Sequence, residues 1–392
     1  MQCRKENDLR MKKDYKVFVI NPGSTSTKVA MFENDNKIFQ TNVDHPVEEL
    51  DKCVTIPDQL PLRLETIQKA LADANVSLEG IDAIATRSGS LACLEGGVYE
   101  VNEQLLEDSF TNKYVRHPNS LGPTIAKKLA DVYGGRIFCV NPPDVDELGD
   151  YERVCGFHEF ARVSRGHPLN HKETCIRYAE SQGKKYEEMN LIVCHLGGGV
   201  TVGAHKKGKM FCVNDGINGD GPMAPTRSGW LPATSLVKMC FSGNYTQDEI
   251  MTRITKKGGL TDHLGTADAR EIVSRIEGGD QYAELIYNAF IYQIAKAVGG
   301  CAAALEGDVD AIILTGGIAH DNYLTERLKK YISWIAPVVI KAGEFEMEGL
   351  ASGAIRAMEG EEEIKVYTGI PVWSGFTCAP DFDTSKDPTK YY

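Results

Sequence analysis

The sequence predicts an α/β protein built of two similar domains that face each other across a cleft. Three observations carry this. A hairpin pattern occurs once in each half of the chain: VFVINPGSTSTKVAMF (17–32) and LIVCHLGGGVTVGAH (191–205) each join two apolar runs through a turn of small residues. Further strand-like runs alternate with helical ones. The 392 residues are enough for two domains with a substantial core.

Taken in order, 16–20 and 28–32 form the first hairpin. LRLETIQKALAD (62–73) repeats apolar residues at helical spacing. IDAIAT (81–86) reads as a strand. SLGPTIAKKLADVY (120–133) reads as a helix, with a Ser start and an early Pro. RIFCV (136–140) is another strand, and the domain boundary follows it, so that 15–157 form the first domain and 158–349 the second. Runs 191–195 and 200–204 form the second hairpin. TQDEIMTRI (246–254) has Thr246 and Glu249 at capping-box spacing. YAELIYNAFIYQIAKAVGGCAAAL (282–305) is apolar on most faces and is expected to be a buried helix. DAIILT (310–315) is a strand. From about 350, ASGAIRAMEGEEE reads as a helix, and 350–392 is expected to return to the first domain. The Pro- and Gly-rich tail (368–392) is expected to be irregular.

A net charge of −12 leaves no basic surplus to displace counterions, which argues against a general nucleic-acid binder. Eleven scattered cysteines without a CxxC exclude a zinc ribbon and point to reduced thiols in a cytoplasmic setting. No apolar run reaches the ~20 residues of a membrane helix. The charged N-terminus lacks a signal-peptide core, and Met11 opens an ordinary cytosolic start, MKKDYKVFVI, which leaves 1–10 as a flexible extension or an upstream start.

Chemistry concentrates at the turns. Asn21, Ser24, Ser26 and Lys28 lie in or beside the first, where hydroxyls, an amide and backbone N–H groups suit phosphate oxygens. NPGSTSTK is not a GxxxxGK[ST] loop. In the second, His195 faces Gly197, Gly198 and Gly199, and three successive glycines are tolerated where a backbone must approach something closely. Gly316 and Gly317 follow the strand DAIIL, where a flat adenine or ribose can lie against backbone. Arg87 and Arg227 recur in the same context, TRSG, and offer donor forks for carboxylate or phosphate. His167 and His117 each precede a Pro at a helix start. The acidic clusters NPPDVDE (141–147) and GEFEMEG (343–349) are candidates to hold a divalent cation.

Six separated motifs in order, VINPGSTSTK, CHLGGGVTVGAH, DGPMAPTRSGWLP, HLGTADAREI, YQIAKAVGG and ILTGGIAHDNYL, resemble the butyrate kinases. These belong to the acetate and butyrate kinase group, within the superfamily of sugar kinases, heat-shock chaperones and actin. The resemblance covers about 16–367. It implies duplicated RNase H-like (actin-like ATPase) domains, ATP/ADP in the interdomain cleft, a homodimer, and a magnesium-dependent reaction in which carboxylate plus ATP gives acyl phosphate plus ADP. Matched residue by residue, it places Asn21, Ser24 and Ser26 on the first phosphate hairpin and His195 at the start of the second. Arg87 and Arg227 fall on the substrate and phosphoryl grips, His167 near the γ-phosphate, and Gly316 and Gly317 on the adenosine loop. Glu346 falls on the magnesium-linked glutamate, with Glu344 and Glu348 as near alternatives and Asn21 beside it. In one departure, Asn141 stands where the group carries an acid, and Asp144 and Asp146 are the nearby substitutes.

The implied mechanism is in-line attack by an already ionised carboxylate, catalysed by positioning and charge neutralisation. Two other readings stay open: a kinase for another short or branched acid (acetate, propionate, isobutyrate), and a non-catalytic nucleotide-binding protein of the same superfamily.

Overall fold

The computed structural model describes residues 14–157, 160–376 and 378. The extension at 1–10, the boundary at 157/158 and most of the tail beyond 376 therefore fall wholly or partly outside the described residues.

Two sheets organise the chain. The first contains β1 (Lys16–Pro22), β2 (Ser26–Glu33), β3 (Asn36–Asp44), β4 (Ala83–Thr86), β5 (Val98–Glu100) and β6 (Arg136–Val140). The second contains β7 (Asn190–Leu196), β8 (Val200–Lys206), β9 (Lys209–Val213), β10 (Ala311–Gly316) and β11 (Val338–Ala342). A last short strand, β12 (Ile364–Lys365), pairs with β5, so the chain returns to the first sheet. The orders are β12-β5-β6-β4-β1-β2-β3 and β11-β10-β7-β8-β9.

The duplication is visible in the pairing. In each sheet three antiparallel strands lead off, β1-β2-β3 and β7-β8-β9. The first strand of each trio then pairs in parallel with a later strand, β4 or β10, and that strand with another, β6 or β11.

The central strands are unbroken apolar runs because both faces are covered. Alternate residues of β1 point to opposite sides. Phe18 and Ile20 pack with Ile67 of α1 (Leu60–Asp73) and Ile125 and Leu129 of α2 (Gly122–Tyr133). Val17 and Val19 pack on the other face against Leu350 and Ala354. In β7, Leu191 and Val193 meet Cys175, Tyr178 and Ala179 of α3 (Pro168–Ser181). Ile192 and Cys194 meet Phe290, Ile294 and Val298 of α4 (Gln281–Ala304), with Leu324 and Leu328 of α5 (Asn322–Ile332) beyond. The helix α6 (Glu346–Glu359) begins directly after β11 of the second sheet and packs on the first.

The capping box predicted at Thr246 and Glu249 is present. The helix predicted at 282–305 is α4, but it is not buried all round. Tyr282, Leu285 and Tyr292 lie 49%, 62% and 51% exposed on one side, so its apolar residues exceed what the core takes up.

One buried charge fastens the first hairpin to α1. The Arg63 guanidinium is fully buried and donates to Ser24 O (2.9 Å), Thr27 Oγ1 (3.1 Å) and Gln59 Oε1 (3.0 Å). Burial lowers its pKa to about 10, which still leaves it protonated at neutral pH. Arg63→Met keeps the stem but takes the buried donor from the Ser24 carbonyl and from Gln59, while the Thr27 hydroxyl keeps only His45 (2.8 Å). It is expected to cost about 3 kcal/mol, read as a lower urea midpoint.

Candidate active site

The carboxyl ends of the parallel strands all open toward one region, the place where open α/β sheets bind ligands. Asn21 ends β1, Arg87 follows β4, Asp144 follows β6, His195 lies at the end of β7, and Glu344 and Glu346 follow β11. All six line one cleft of about 530 Å³, with Ser26, Lys28, His117, Arg165, His167, Gly198, Gly199 and Arg227.

Glu346 is the hub. Its Oε2 accepts from Asn21 Nδ2 (2.8 Å) and its Oε1 from Arg87 Nη1 (2.9 Å). Burial alone would raise its pKa. The Arg87 guanidinium, the Asn21 hydrogen bond, His195 and Lys28 outweigh that and hold the carboxyl below its ordinary value. Glu344 differs: burial and the neighbouring Glu346 charge push it upward. Glu348 faces away and pairs with Lys37 (2.9 Å).

The rings of His167 and His195 stack at 4.0 Å between centroids. Burial lowers both pKa values, that of His195 to about 4, so the pair is neutral at pH 7. The tautomer of His195 follows from its neighbour. Phe345 N–H donates to Asn170 Oδ1 (2.9 Å), which turns Asn170 Nδ2 toward His195 Nδ1 (2.8 Å). That nitrogen must accept, so the proton of His195 sits on Nε2.

Gly199 has a steric reason. A Cβ there would lie 1.8 Å from Arg227 Nη1, so the glycine makes room for the guanidinium, which also donates to Gly216 O. Gly316 has φ +90°, and a Cβ there would meet the Leu196 backbone at 2.3 Å. Gly197 and Gly198 carry no such constraint: a Cβ on Gly198 meets nothing within 4 Å, and one on Gly197 meets His195 Nε2 at 3.1 Å.

Some expected residues lie elsewhere. The Ser24 side chain is exposed outside the cleft, and its carbonyl serves Arg63. Gly197 does not line the cleft. Gly317 lines a separate hollow of about 980 Å³ with Asp268, Ile318, Asp321 and Tyr323, at the end of β10. Asn141 has φ +40° and accepts from Gly97 N–H through Oδ1 (2.8 Å), which ties β5 to β6 and keeps the amide out of the cleft. Asp144, three residues on, reaches the cleft instead. Its Oδ1 is 3.6 Å from Arg165 Nη1 and its buried Oδ2 has no hydrogen-bond partner. Burial raises its pKa to about 6 against the pull of Arg165. Asp146 is occupied by a buried two-point pair with Arg153 (2.8 and 2.8 Å).

Arg165, Asn170 and Thr201 were not singled out in the sequence. Arg165 stands two residues before His167 in SRGHP, a visible cue. Asn170 and Thr201 carried none, since a helical Asn and a strand Thr are unremarkable until folded.

Among the described residues no three His, Cys, Asp or Glu side chains form a metal cage. That suits magnesium, which usually takes one or two carboxylates and completes its shell with phosphate oxygens and water. Glu346, ionised and facing the cleft beside Asn21, fits that part.

Residues 162–331 match the acetokinase family. The chain is 45% identical to a probable butyrate kinase of Clostridium botulinum over 353 residues, covering 90% of this chain and 99% of that protein. It is 44% identical to butyrate kinase 2 of Clostridium acetobutylicum over the same shares. Among solved structures it is similar to the acetate kinase of Porphyromonas gingivalis, with TM-score 0.72, 21% identity and 88% and 100% of the two chains covered. A propionate kinase of Francisella tularensis gives TM-score 0.70 at 18% identity, covering 86% and 98%. The two-sheet arrangement is thus the actin-like ATPase fold of those kinases.

The raised pKa of Asp144 has a consequence for stability. Below the unfolded-state pKa both states are protonated. Between there and about pH 6 the unfolded chain binds fewer protons at this residue, so its contribution to stability falls as pH rises. Asp144→Asn removes this term and is expected to be more stable than the wild type by about 1–2 kcal/mol at pH 7. The two should converge near pH 4 when urea stability is measured against pH.

Proposed function

The chain belongs to the acetokinase family, and we propose that it transfers the γ-phosphoryl group of ATP to a short-chain carboxylate, butyrate or a close analogue, reversibly. It is a carboxylate kinase. The observation that carries the acceptor and the transfer site is the cleft itself, where Arg87 and Arg227, from different sheets' loops, face the same space as two neutral histidines.

A carboxylate is already ionised at neutral pH, so no base is required. One carboxylate oxygen forms the new bond to phosphorus while the β–γ bridging bond breaks and its electron pair leaves with ADP. Arg87, fixed by Glu346, holds the carboxylate. Arg227, seated over Gly199, meets the charge that spreads over the transferring phosphoryl. Both hairpin turns, through Asn21, Ser26, Lys28 and the Gly198–Gly199 backbone, hold the phosphates. His167 and His195 add neutral donors. The hollow beside Gly317 takes the adenosine. Glu346 with Asn21 holds magnesium, which neutralises phosphate charge when bound. The reverse direction makes ATP, since an acyl phosphate is the stronger donor.

The exposed face of α4 (Tyr282, Leu285, Tyr292) together with Phe241 (87% exposed) supports a homodimer that covers these side chains. The ten described cysteines are all free thiols, and no helix among the described residues is long and apolar enough to cross a membrane; both support a cytoplasmic location.

The direct test is hydroxamate trapping of acyl phosphate from ATP, magnesium and acids of graded length. Activity highest with butyrate or isobutyrate is expected. A maximum at acetate or propionate would reassign the acid, and ATP binding without product would remove the kinase reading. Arg227→Ala should lower kcat by about 10²-fold or more. Gly199→Ala should do nearly as much while leaving the urea midpoint in place, because the new methyl displaces only the end of the Arg227 side chain.

A further inference from the structure

A single line of hydrogen bonds runs from the cleft into the second domain. His167 Nδ1 meets Thr201 Oγ1 at 3.0 Å, and the same oxygen meets His171 Nε2 at 2.9 Å. His171 Nδ1 meets His205 Nε2 at 3.1 Å, and His205 Nδ1 meets the Tyr186 hydroxyl at 2.6 Å. Thr201, His171 and His205 are fully buried and Tyr186 nearly so.

Burial keeps all three imidazoles uncharged: His171 falls to about 3, and His167 and His205 lie well below their ordinary value. A neutral imidazole has one N–H and one lone pair, and a hydroxyl has one proton. The Thr201 hydroxyl could accept from both rings, but its proton would then be buried without an acceptor, since His167 and His171 are its side-chain partners among the described residues. It therefore donates to one of them, and fixing one end of the line sets the rest.

Tyr186 decides the direction. Its buried hydroxyl has one hydrogen-bond partner among the described residues, His205 Nδ1. If the phenol only accepted there, its own O–H would be buried without an acceptor, a cost of about 1–3 kcal/mol. It therefore donates. His205 then carries its proton on Nε2 and donates to His171 Nδ1. His171 carries its own on Nε2 and donates to Thr201, whose hydroxyl donates to His167 Nδ1. The proton of His167 is left on Nε2, the nitrogen without a partner among the described residues, in a ring that lines the cleft.

We propose that Tyr186, acting through His205, His171 and Thr201, fixes His167 as the Nε2–H tautomer, so that a neutral imidazole presents a hydrogen-bond donor to the transferring phosphoryl group. The four are positioning residues, and the assignment of the recipient rests on the carboxylate-kinase reading. His195 reaches the same tautomer independently through Asn170, so the stacked rings offer two N–H donors side by side. The opposite tautomer would turn a lone pair of His167 toward anionic oxygens.

Long-range 1H–15N correlation spectra of the full chain labelled at the histidine ring nitrogens test this, with His167 assigned by its loss in His167→Gln. The expected spectrum has His167, His171 and His205 all protonated at Nε2. Tyr186→Phe should give mixed tautomers at His167 and lower kcat roughly tenfold, with the KM for ATP within about twofold. Thr201→Val should do the same, and Thr201→Ser should restore both. A native His167 protonated at Nδ1 overturns the proposal, a result that needs no variant to fold. So do variants that leave tautomer and kcat unchanged. The expected spectrum in a protein that forms no acyl phosphate would support the wiring and overturn the proposed reaction.

Discussion

The carboxylate of Glu346 is the constraint on which the rest of the site depends. The chain leaves the second sheet at β11, turns past Glu344, and enters α6, the helix that packs on the first sheet. At that junction one ionised side chain accepts from Asn21 at the end of β1 and from Arg87 after β4. A nearly buried anion is costly unless its partners surround it. Here two donors reach it, both from the first sheet, so a side chain that follows the second sheet is held by the first. The orientation of Arg87, and with it the proposed grip on the acceptor, follows from it.

The same economy recurs around the cleft. Arg63 supports the first turn from beneath, Gly199 leaves room for Arg227, and Asn170 turns His195. None of these need touch the reacting atoms. Gly199 and Asn170 set the rotamer or tautomer of a side chain that lines the cleft, and Arg63 holds the backbone of the turn. In the proposed reaction, which needs no acid–base chemistry, such placement is most of the catalysis. Asp144 is the exception, a buried carboxylate left partly unsatisfied at the cleft wall, which costs the fold stability.

Much of this was legible in the sequence. The hairpins, the parallel strands β4, β6 and β10, and the main helices carry strong apolar periodicity, and the TRSG repeat picked out two of the three cleft arginines, Arg87 and Arg227. The edge strands β3, β9 and β11 went unread because NKIFQTNVD, KMFCV and VVIKA are half-exposed and mix polar with apolar residues. Asn141 was read by its place after a strand, but a left-handed backbone there turns its amide to Gly97 and lets the loop bring Asp144 forward. Arg63 hid in an amphipathic pattern, where a charged residue is normally solvated. The line from Tyr186 to His167 joins a short turn at 186–188, strand β8 and helix α3 with its N-terminal cap, elements brought together only by the fold.

The most direct measurement of the central claim is a double-mutant cycle between Arg87 and Glu346, read as kcat/KM for the carboxylate with Arg87→Ala, Glu346→Gln and the pair. If Glu346 works chiefly by fixing Arg87, the double variant will be about as impaired as the worse single one, with a coupling of roughly 1–3 kcal/mol. Losses that simply add would show the two residues acting independently and would contradict the account.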